Sequence, residues 1–92
     1  MNHIPWQRRE LSPNGDGQND VLYVKGQDVK SMDFKVFNRW GELVFETNNI
    51  NQGWDGYYKG VQQEMEVYVW TLNAIFSDGK AAVKSGNVTL LR

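Results

Sequence analysis

The stretch that decides the fold is "EVYVWTLNAIF", residues 66–76. It is dominated by β-branched and aromatic residues, which are enriched in strands. Because apolar side chains occur in both alternating sets, the pattern favours a central strand with a neighbour on each side. Tyr68 and Trp70 share one strand face, and Val67 and Val69 share the other. Both faces are expected to pack in a core, ahead of any sugar-stacking platform.

A β-hairpin is predicted from "MDFKVFNR" (32–39) and "ELVFET" (42–47), which alternate around a turn at 38–41. Asn favours the first position of a type I turn, and Gly41 suits the left-handed position of a bulged hairpin. Arg39 and Trp40 lie at the tip. They form either a recognition surface, because both residue types are enriched in binding hot spots, or a local pair, with Trp40 folded back on the sheet and Arg39 stacked on it.

The rest of the chain consists of short strand signals separated by Gly-rich and Asn-rich turns. A strand is predicted in "DVLYVKG" (20–26), and a long ordered loop in "TNNINQGWDGYYKG" (47–60). "SDGK" (77–80) predicts a turn centred on Asp78-Gly79, and "AAVKSGNVTLLR" (81–92) a returning strand broken near Ser85-Gly86. These elements predict one all-β domain, a single antiparallel Ig-like β-sandwich of about seven short strands.

Two further segments leave alternatives open. Trp54 is expected to anchor the long loop in the core while Asp55 satisfies backbone donors of its turn, although Asp55 could instead serve as a metal ligand. The final strand, "NVTLLR", is either an ordinary paired strand or an edge that lends its backbone to a partner.

Composition excludes several classes of protein. The chain has 92 residues, of which 40% are apolar and 13% aromatic, so it can bury a core. With a net charge of −1, the chain has no broad positive potential that would attract nucleic acid. No apolar run approaches the roughly 20 residues that cross a bilayer. The N-terminus lacks the apolar region of a signal peptide, so the chain is either cytoplasmic or a fragment of a longer exported protein.

Catalysis is not expected. His3 is the one histidine and there is no cysteine. Such a chain does not offer the usual set of residues for a Ser-His-Asp site or for a zinc site. The protein is therefore predicted not to be an enzyme.

A calcium site is predicted in "SPNGDGQND", residues 12–20. Asn14, Asp16, Gln18 and Asp20 fall on alternate positions, and calcium prefers six to eight oxygen ligands around one point. The intervening glycines permit the tight wrapping that this requires. The stretch is not an EF-hand loop, because the glycine and the closing Glu of that pattern are absent. The alternative is an Asx-type turn that binds no metal.

The ordered set of motifs resembles a known family. "LSPNGDGQND", "FKVFNRWGELVFET", "WDGYYKG", "VYVW", "DGK" and "GNVTLLR" are similar in order and spacing to the gliding-motility-associated C-terminal domain. This is the type B C-terminal sorting domain of the type IX secretion system of Bacteroidetes. The resemblance covers Leu11 to Arg92 and leaves residues 1–10 as a lead-in with a possible first strand, "IPWQRREL" (4–11).

The resemblance implies that the domain acts as a sorting signal. Such domains direct a larger cargo protein, joined upstream in the same chain, through the periplasm and outer membrane to the cell surface or medium. The implied partners are the type IX translocon and accessory outer-membrane proteins, without nucleic acid and without direct membrane insertion. The alternative function is a calcium-dependent adhesion or carbohydrate-binding β-sandwich module.

Overall fold

The computed structural model describes residues 10–11, 21–24 and 28–91. Within these ranges it contains strands and no helix, hence none that is long and apolar enough to cross a membrane. The strands are β1 Glu10–Leu11, β2 Val29–Phe37, β3 Leu43–Thr47, β4 Tyr57–Tyr58, β5 Val61–Gln62, β6 Val67–Phe76 and β7 Ala81–Leu90.

The main sheet has the strand order β1-β7-β6-β2-β3, and β4 pairs with β5 in a second, small sheet. β6 pairs antiparallel with β2 on one side and with β7 on the other, so its prediction as a central strand is confirmed. Every pairing between strands is antiparallel except β1 with β7, where Glu10 lies opposite Thr89. The order β7-β6-β2-β3 matches the G-F-C-C′ sheet of an immunoglobulin-type sandwich. The predicted all-β sandwich is confirmed.

The β2–β3 hairpin is also confirmed, together with its turn. The amide of Gly41 donates to the carbonyl of Asn38 at 3.0 Å, and the amide of Asn38 donates to the carbonyl of Glu42 at 3.0 Å. Gly41 has a φ of +79°, the left-handed conformation that the bulged type I turn requires. Phe34 lies opposite Thr47 in the register that follows.

The turn between β6 and β7 is present, but its predicted two-residue centre at Asp78-Gly79 is wrong. Gly79 donates its amide to the carbonyl of Phe76 at 2.9 Å, and Phe76 donates to the carbonyl of Lys80 at 2.8 Å. Among these residues Gly79 has a positive φ, at +86°, and Asp78 does not. A two-residue type I′ turn needs positive φ at both centres, whereas this loop is the three-residue bulged form.

The segment predicted as a long loop, 47–60, contains structure that periodicity did not reveal. Tyr57 and Tyr58 pair with Gln62 and Val61 to form the β4–β5 hairpin. Its two turn residues, Lys59 and Gly60, have φ values of 52° and 79°, as in a type I′ turn. Strands of two residues are too short to produce an alternating pattern, which explains the wrong prediction.

The predicted break in β7 at Ser85-Gly86 is wrong, since β7 pairs with β6 without interruption from Ala81 to Thr89. Gly86 has a packing role instead. A Cβ atom at this position would lie 2.8 Å from Cζ2 of the Trp70 indole, which therefore occupies the space above the glycine. Close approach of an aromatic ring is a common reason for glycine within a strand.

The ends of the chain agree in part with the predicted strands. Of "IPWQRREL", residues 10 and 11 form β1 and residues 4–9 lie outside the described ranges. β1 pairs with the end of β7, whose other edge faces β6, so this part of "NVTLLR" is an ordinary paired strand.

The strand predicted in "DVLYVKG" is not formed in its described part, residues 21–24. Leu22 instead forms an isolated bridge with Trp54. Asp20 and residues 25 and 26 of this prediction lie outside the described ranges.

One face of the main sheet carries the core, and the other faces solvent. Along β6, buried and less buried residues alternate strictly. Val67 and Val69 are 49% and 40% exposed, so the expectation that their face packs in the core is wrong. The core joins the inner face of the main sheet to three buried residues outside that sheet, Leu22, Val24 and Trp54. The residues that the main sheet contributes are Met32, Phe34, Val36, Val44, Tyr68, Trp70, Leu72, Ala74, Val88 and Leu90.

Charged side chains contribute to the solvent-facing side of β2 and β3. Lys35 Nζ lies 3.0 Å from a carboxylate oxygen of Asp33 and 3.7 Å from one of Glu46. The hydrogen bond and charge of Asp33, followed by the charge of Glu46, raise the pKa of Lys35 above its ordinary value. All three side chains are at least one-third exposed, so the pairs add little stability.

We expect Gly86→Ala to destabilise the fold by about 1–3 kcal/mol, the usual cost of overpacking a filled site. The added methyl group would displace the Trp70 indole, which lies in the core. Thermal unfolding of the domain followed by circular dichroism measures this change. The matched control is Ser85→Ala on the exposed neighbour, which should leave the melting temperature within about 2 °C, as for surface substitutions in general. Equal melting temperatures for Gly86→Ala and the parent protein would contradict the packing role.

Candidate functional site

Trp54 connects the loop layer to the main sheet. Its side chain is 0% exposed, and its ring meets Tyr68 edge to face with 4.8 Å between centroids. The indole Nε1–H donates to the carbonyl of Tyr57 at 3.0 Å. Asp55 Oδ1 accepts from the amide of Tyr57 at 3.1 Å. The anchoring role expected for Trp54 and the turn role expected for Asp55 are both confirmed.

The predicted calcium ligands Asn14, Asp16, Gln18 and Asp20 lie outside the described residues, so that site stays a prediction. Among the residues that are described, no group of three or more His, Cys, Asp or Glu side chains could hold a metal ion. Leu22 follows Asp20 by two positions, and its backbone exchanges two hydrogen bonds, of 2.7 and 2.9 Å, with Trp54. Asp55 is the next residue after Trp54.

The tip of the β2–β3 hairpin is held by the side chain of Asn38. Its Oδ1 accepts from the amides of Trp40 at 2.9 Å and Glu42 at 3.0 Å, and its Nδ2 donates to Glu42 Oε1 at 2.8 Å. Asn is suited to this position because its short side chain bonds to backbone amides two residues further on. These three bonds fix the orientation of the residues between them, Arg39 and Trp40.

Arg39 is stacked on Trp40, but Trp40 does not fold back on the sheet. The guanidinium carbon lies 4.9 Å from the centre of the indole, within range of a cation–π contact. Trp40 remains 77% exposed. Of the expectations for the tip, the stacking of Arg39 on Trp40 is confirmed, and the folding of Trp40 back on the sheet is wrong.

Glu66 also contacts Arg39, through both of its carboxylate oxygens. Glu66 Oε1 accepts from the Arg39 amide at 3.3 Å, and Glu66 Oε2 lies 3.8 Å from Arg39 Nε. The Glu66 side chain is 12% exposed, whereas that of Arg39 is 60% exposed. A carboxylate at the start of β6 thereby joins the hairpin tip to the central strand.

A cleft of about 320 Å³ lies between the hairpin tip and the segment that leads from β5 into β6. Its volume is within the range of small-ligand and side-chain pockets. The segment is absent from the sequence-based candidates because "VQQEME" resembles an ordinary polar connection. The cleft is lined by Asn38, Trp40, Val61, Gln62, Gln63, Glu64, Glu66 and Tyr68.

The floor of the cleft is held in place by hydrogen bonds. The buried Tyr68 donates its hydroxyl to the carbonyl of Glu64 at 2.7 Å. Gln63 donates its amide to the carbonyl of Gly56 at 2.9 Å, and Gln63 Nε2 donates to the carbonyl of Val61 at 3.1 Å. The connecting segment is therefore tied both to β6 and to the loop that Trp54 anchors.

Comparison with known families supports the resemblance seen in the sequence. The family model described as CHU_C type IX secretion signal domain matches residues 7–90. The chain belongs to this family. Membership establishes it as a type IX secretion signal domain, which implies recognition by the secretion machinery and export by way of the outer membrane to the cell surface or medium. Families of this kind are secretion signals and in general not enzymes.

Comparison with solved structures supports the fold. The chain is similar to CopC from Methylosinus trichosporium OB3b, with a TM-score of 0.67. The match covers 98% of this chain and 93% of that chain. At 12% identity, the likeness shows a common β-sandwich fold and nothing about ligands. No curated protein matches the sequence.

Proposed function

We propose that this chain is a type B C-terminal sorting domain, which directs a larger cargo protein through the type IX outer-membrane translocon. The translocon and its accessory outer-membrane proteins would read the folded domain, and the cargo would reach the cell surface or the medium. The observation that carries the proposal is the family match over residues 7–90, nearly the whole folded unit. The narrower points, type B and the outer-membrane receptors, rest on the motif resemblance.

The domain acts in this proposal by being recognised and not by catalysis. Two of the carboxylates near the cleft have structural partners: Glu66 is bonded to Arg39, and Glu42 accepts from Asn38. The chain's single histidine, His3, has no cysteine or second histidine to act with. These features support a recognition role.

Calcium bound by the acidic turn would stabilise the domain. The proposal rests on oxygens at alternate positions: side-chain oxygens of Asn14, Asp16 and Asp20, and the backbone carbonyl of Gln18. Two carboxylates bind calcium weakly, so a further oxygen is needed. Asp55 is a candidate, because it follows Trp54, the bridge partner of Leu22, and only its Oδ1 is used in a hydrogen bond within the described part of the chain.

A carbohydrate-binding or adhesion module is the second candidate function. The exposed indole of Trp40 beside a polar cleft favours it, since sugars stack on aromatic rings and exchange hydrogen bonds with amides and carboxylates. Tyr68 and Trp70 are buried, however, so they offer no platform on the sheet face. Binding of soluble sugars to the isolated domain would distinguish this candidate from the first.

Fusion to a reporter tests the sorting function. We expect an inert reporter carrying residues 1–92 at its C-terminus, with native upstream sequence where the parent gene supplies it, to leave the cells of a type IX-competent host. Reporter in the medium and at the cell surface is measured against the periplasmic fraction. In a matched strain without the translocon the same fusion should remain periplasmic. Retention in the periplasm of the competent host would contradict the proposal.

Calcium titration tests the stabilising role. We expect calorimetry to give a dissociation constant of roughly 10⁻⁴ to 10⁻³ M, the range of extracellular calcium modules. Calcium at about ten times that constant should stabilise the domain by about 1.4 kcal/mol by mass action. Asp20→Asn should weaken binding, whereas Asp78→Asn, in the β6–β7 turn, should not. Absence of heat together with an unchanged melting temperature in chelator would exclude the site.

A further inference from the structure

The folding of the domain does not explain why Trp40 is exposed. A large aromatic side chain that is 77% exposed contributes little apolar burial to the domain, yet the Asn38 side chain fixes the turn that presents it by accepting two hydrogen bonds and donating one. Arg39 covers one face of the indole. Most of the surface of Trp40 is still open to solvent, and Trp40 lines the cleft.

The charges of the cleft indicate what this face would contact. The described residues that line it include two carboxylates, Glu64 and Glu66, and no lysine or arginine. Arg39 partly neutralises Glu66. Within the described part of the chain no cation and no hydrogen-bond donor contacts the carboxylate of Glu64. An exposed indole and a carboxylate that has no such partner among the described residues are together complementary to a cationic group.

The domain already contains one example of this contact. The guanidinium of Arg39 lies against the first face of Trp40, with Glu66 as its counter-charge. Trp40 and Glu64 both line the cleft, so they provide the same two kinds of group, an aromatic ring and a carboxylate, to a cation supplied from outside. Trp, Tyr and Arg dominate the energetics of protein interfaces, and they act best beside well-packed, fixed neighbours.

We propose that this cleft is the docking site of a protein partner, and that it takes an arginine or lysine side chain of that partner between Trp40 and Glu64. The identity of the partner as a component of the export machinery rests on the sorting function proposed above. The chemistry of the contact rests on the cleft alone. A neutral sugar is the competing ligand, and the experiment separates the two by charge.

The test uses the reporter fusion with single substitutions in the cleft. Trp40→Leu is expected to reduce exported reporter about fivefold, the factor that corresponds to one lost cation–π contact of about 1 kcal/mol. Glu64→Lys is expected to reduce it at least as much, because it replaces the attraction for the basic side chain by a repulsion. Trp40→Phe, which keeps an aromatic face, should retain more export than Trp40→Leu. Glu64→Gln should lie between the parent protein and Glu64→Lys.

Matched controls lie on the solvent-facing side of the main sheet. Val83→Ala shortens another highly exposed apolar side chain, and Glu46→Gln makes the same change as Glu64→Gln away from the cleft. Both should export at the parent level. Melting temperatures of the purified domains should be equal across the set, because all of the substituted side chains are exposed or partly exposed.

Each outcome is decisive. A parent fusion that is not exported contradicts the sorting function, whereas an exported parent with unchanged cleft variants overturns this inference alone. Loss of export in Trp40→Leu without loss in Glu64→Lys excludes a basic side chain and favours a neutral ligand. Loss in Glu64→Lys alone excludes the Trp40 contact. Equal loss in the controls would show that the effect is not specific to the cleft.

Discussion

The burial of Trp54 against Tyr68 is the interaction on which the rest of the structure depends. The main sheet is held by its own backbone ladder, but its inner face needs a cover, and the described second layer has just four residues in strands, those of β4 and β5. Trp54 is fully buried, pairs through its backbone with Leu22, and donates its indole N–H to Tyr57. A buried aromatic side chain of this size removes roughly 150–250 Å² from water, worth about 4–6 kcal/mol as an upper estimate.

This anchor also positions the features that bear on function. Through Leu22 it fixes the chain just after the acidic turn, and through Tyr57 it fixes the start of the β4–β5 hairpin. That hairpin leads into the segment from Gln63 to Glu66, which lines the cleft and bonds to the hairpin tip. A surface read by another protein benefits from such rigidity, because less conformational entropy is lost on binding. A fixed, exposed hairpin tip is consistent with a signal domain.

Much of the fold could be predicted from the sequence, for identifiable reasons. The long β6 stretch and the alternation around Asn38 to Gly41 give strong local signals, so the central strand and its hairpin are found correctly. The β4–β5 strands are too short for periodicity, and Gly86 resembles a breaker because the Trp70 ring above it is a long-range contact. The sequence predicts burial for Val67 and Val69 wrongly. A strand with apolar residues on both faces does not reveal whether a second layer covers both faces or only one.

The candidate site was predictable only in part. The composition of the tip identified Arg39 and Trp40, and their stacking follows from adjacency. The partner segment was not identifiable, because Glu64 and Glu66 come near the tip through the pairing of β6 with β2, a contact between residues about 30 positions apart. The calcium ligands are a local pattern that the described residues do not include, and they remain a prediction.

Native-state hydrogen exchange tests most directly whether Trp54 joins the two layers into one rigid unit. The amides of Leu22 and Trp54 bond across the bridge, and the amide of Gln63 bonds to Gly56 beside the cleft. If the anchor holds, these amides should exchange only through global unfolding, with the same opening free energy as the amides of β6. Opening free energies for Leu22, Trp54 and Gln63 several kcal/mol below that of β6 would show a second layer that opens independently, and would contradict the account.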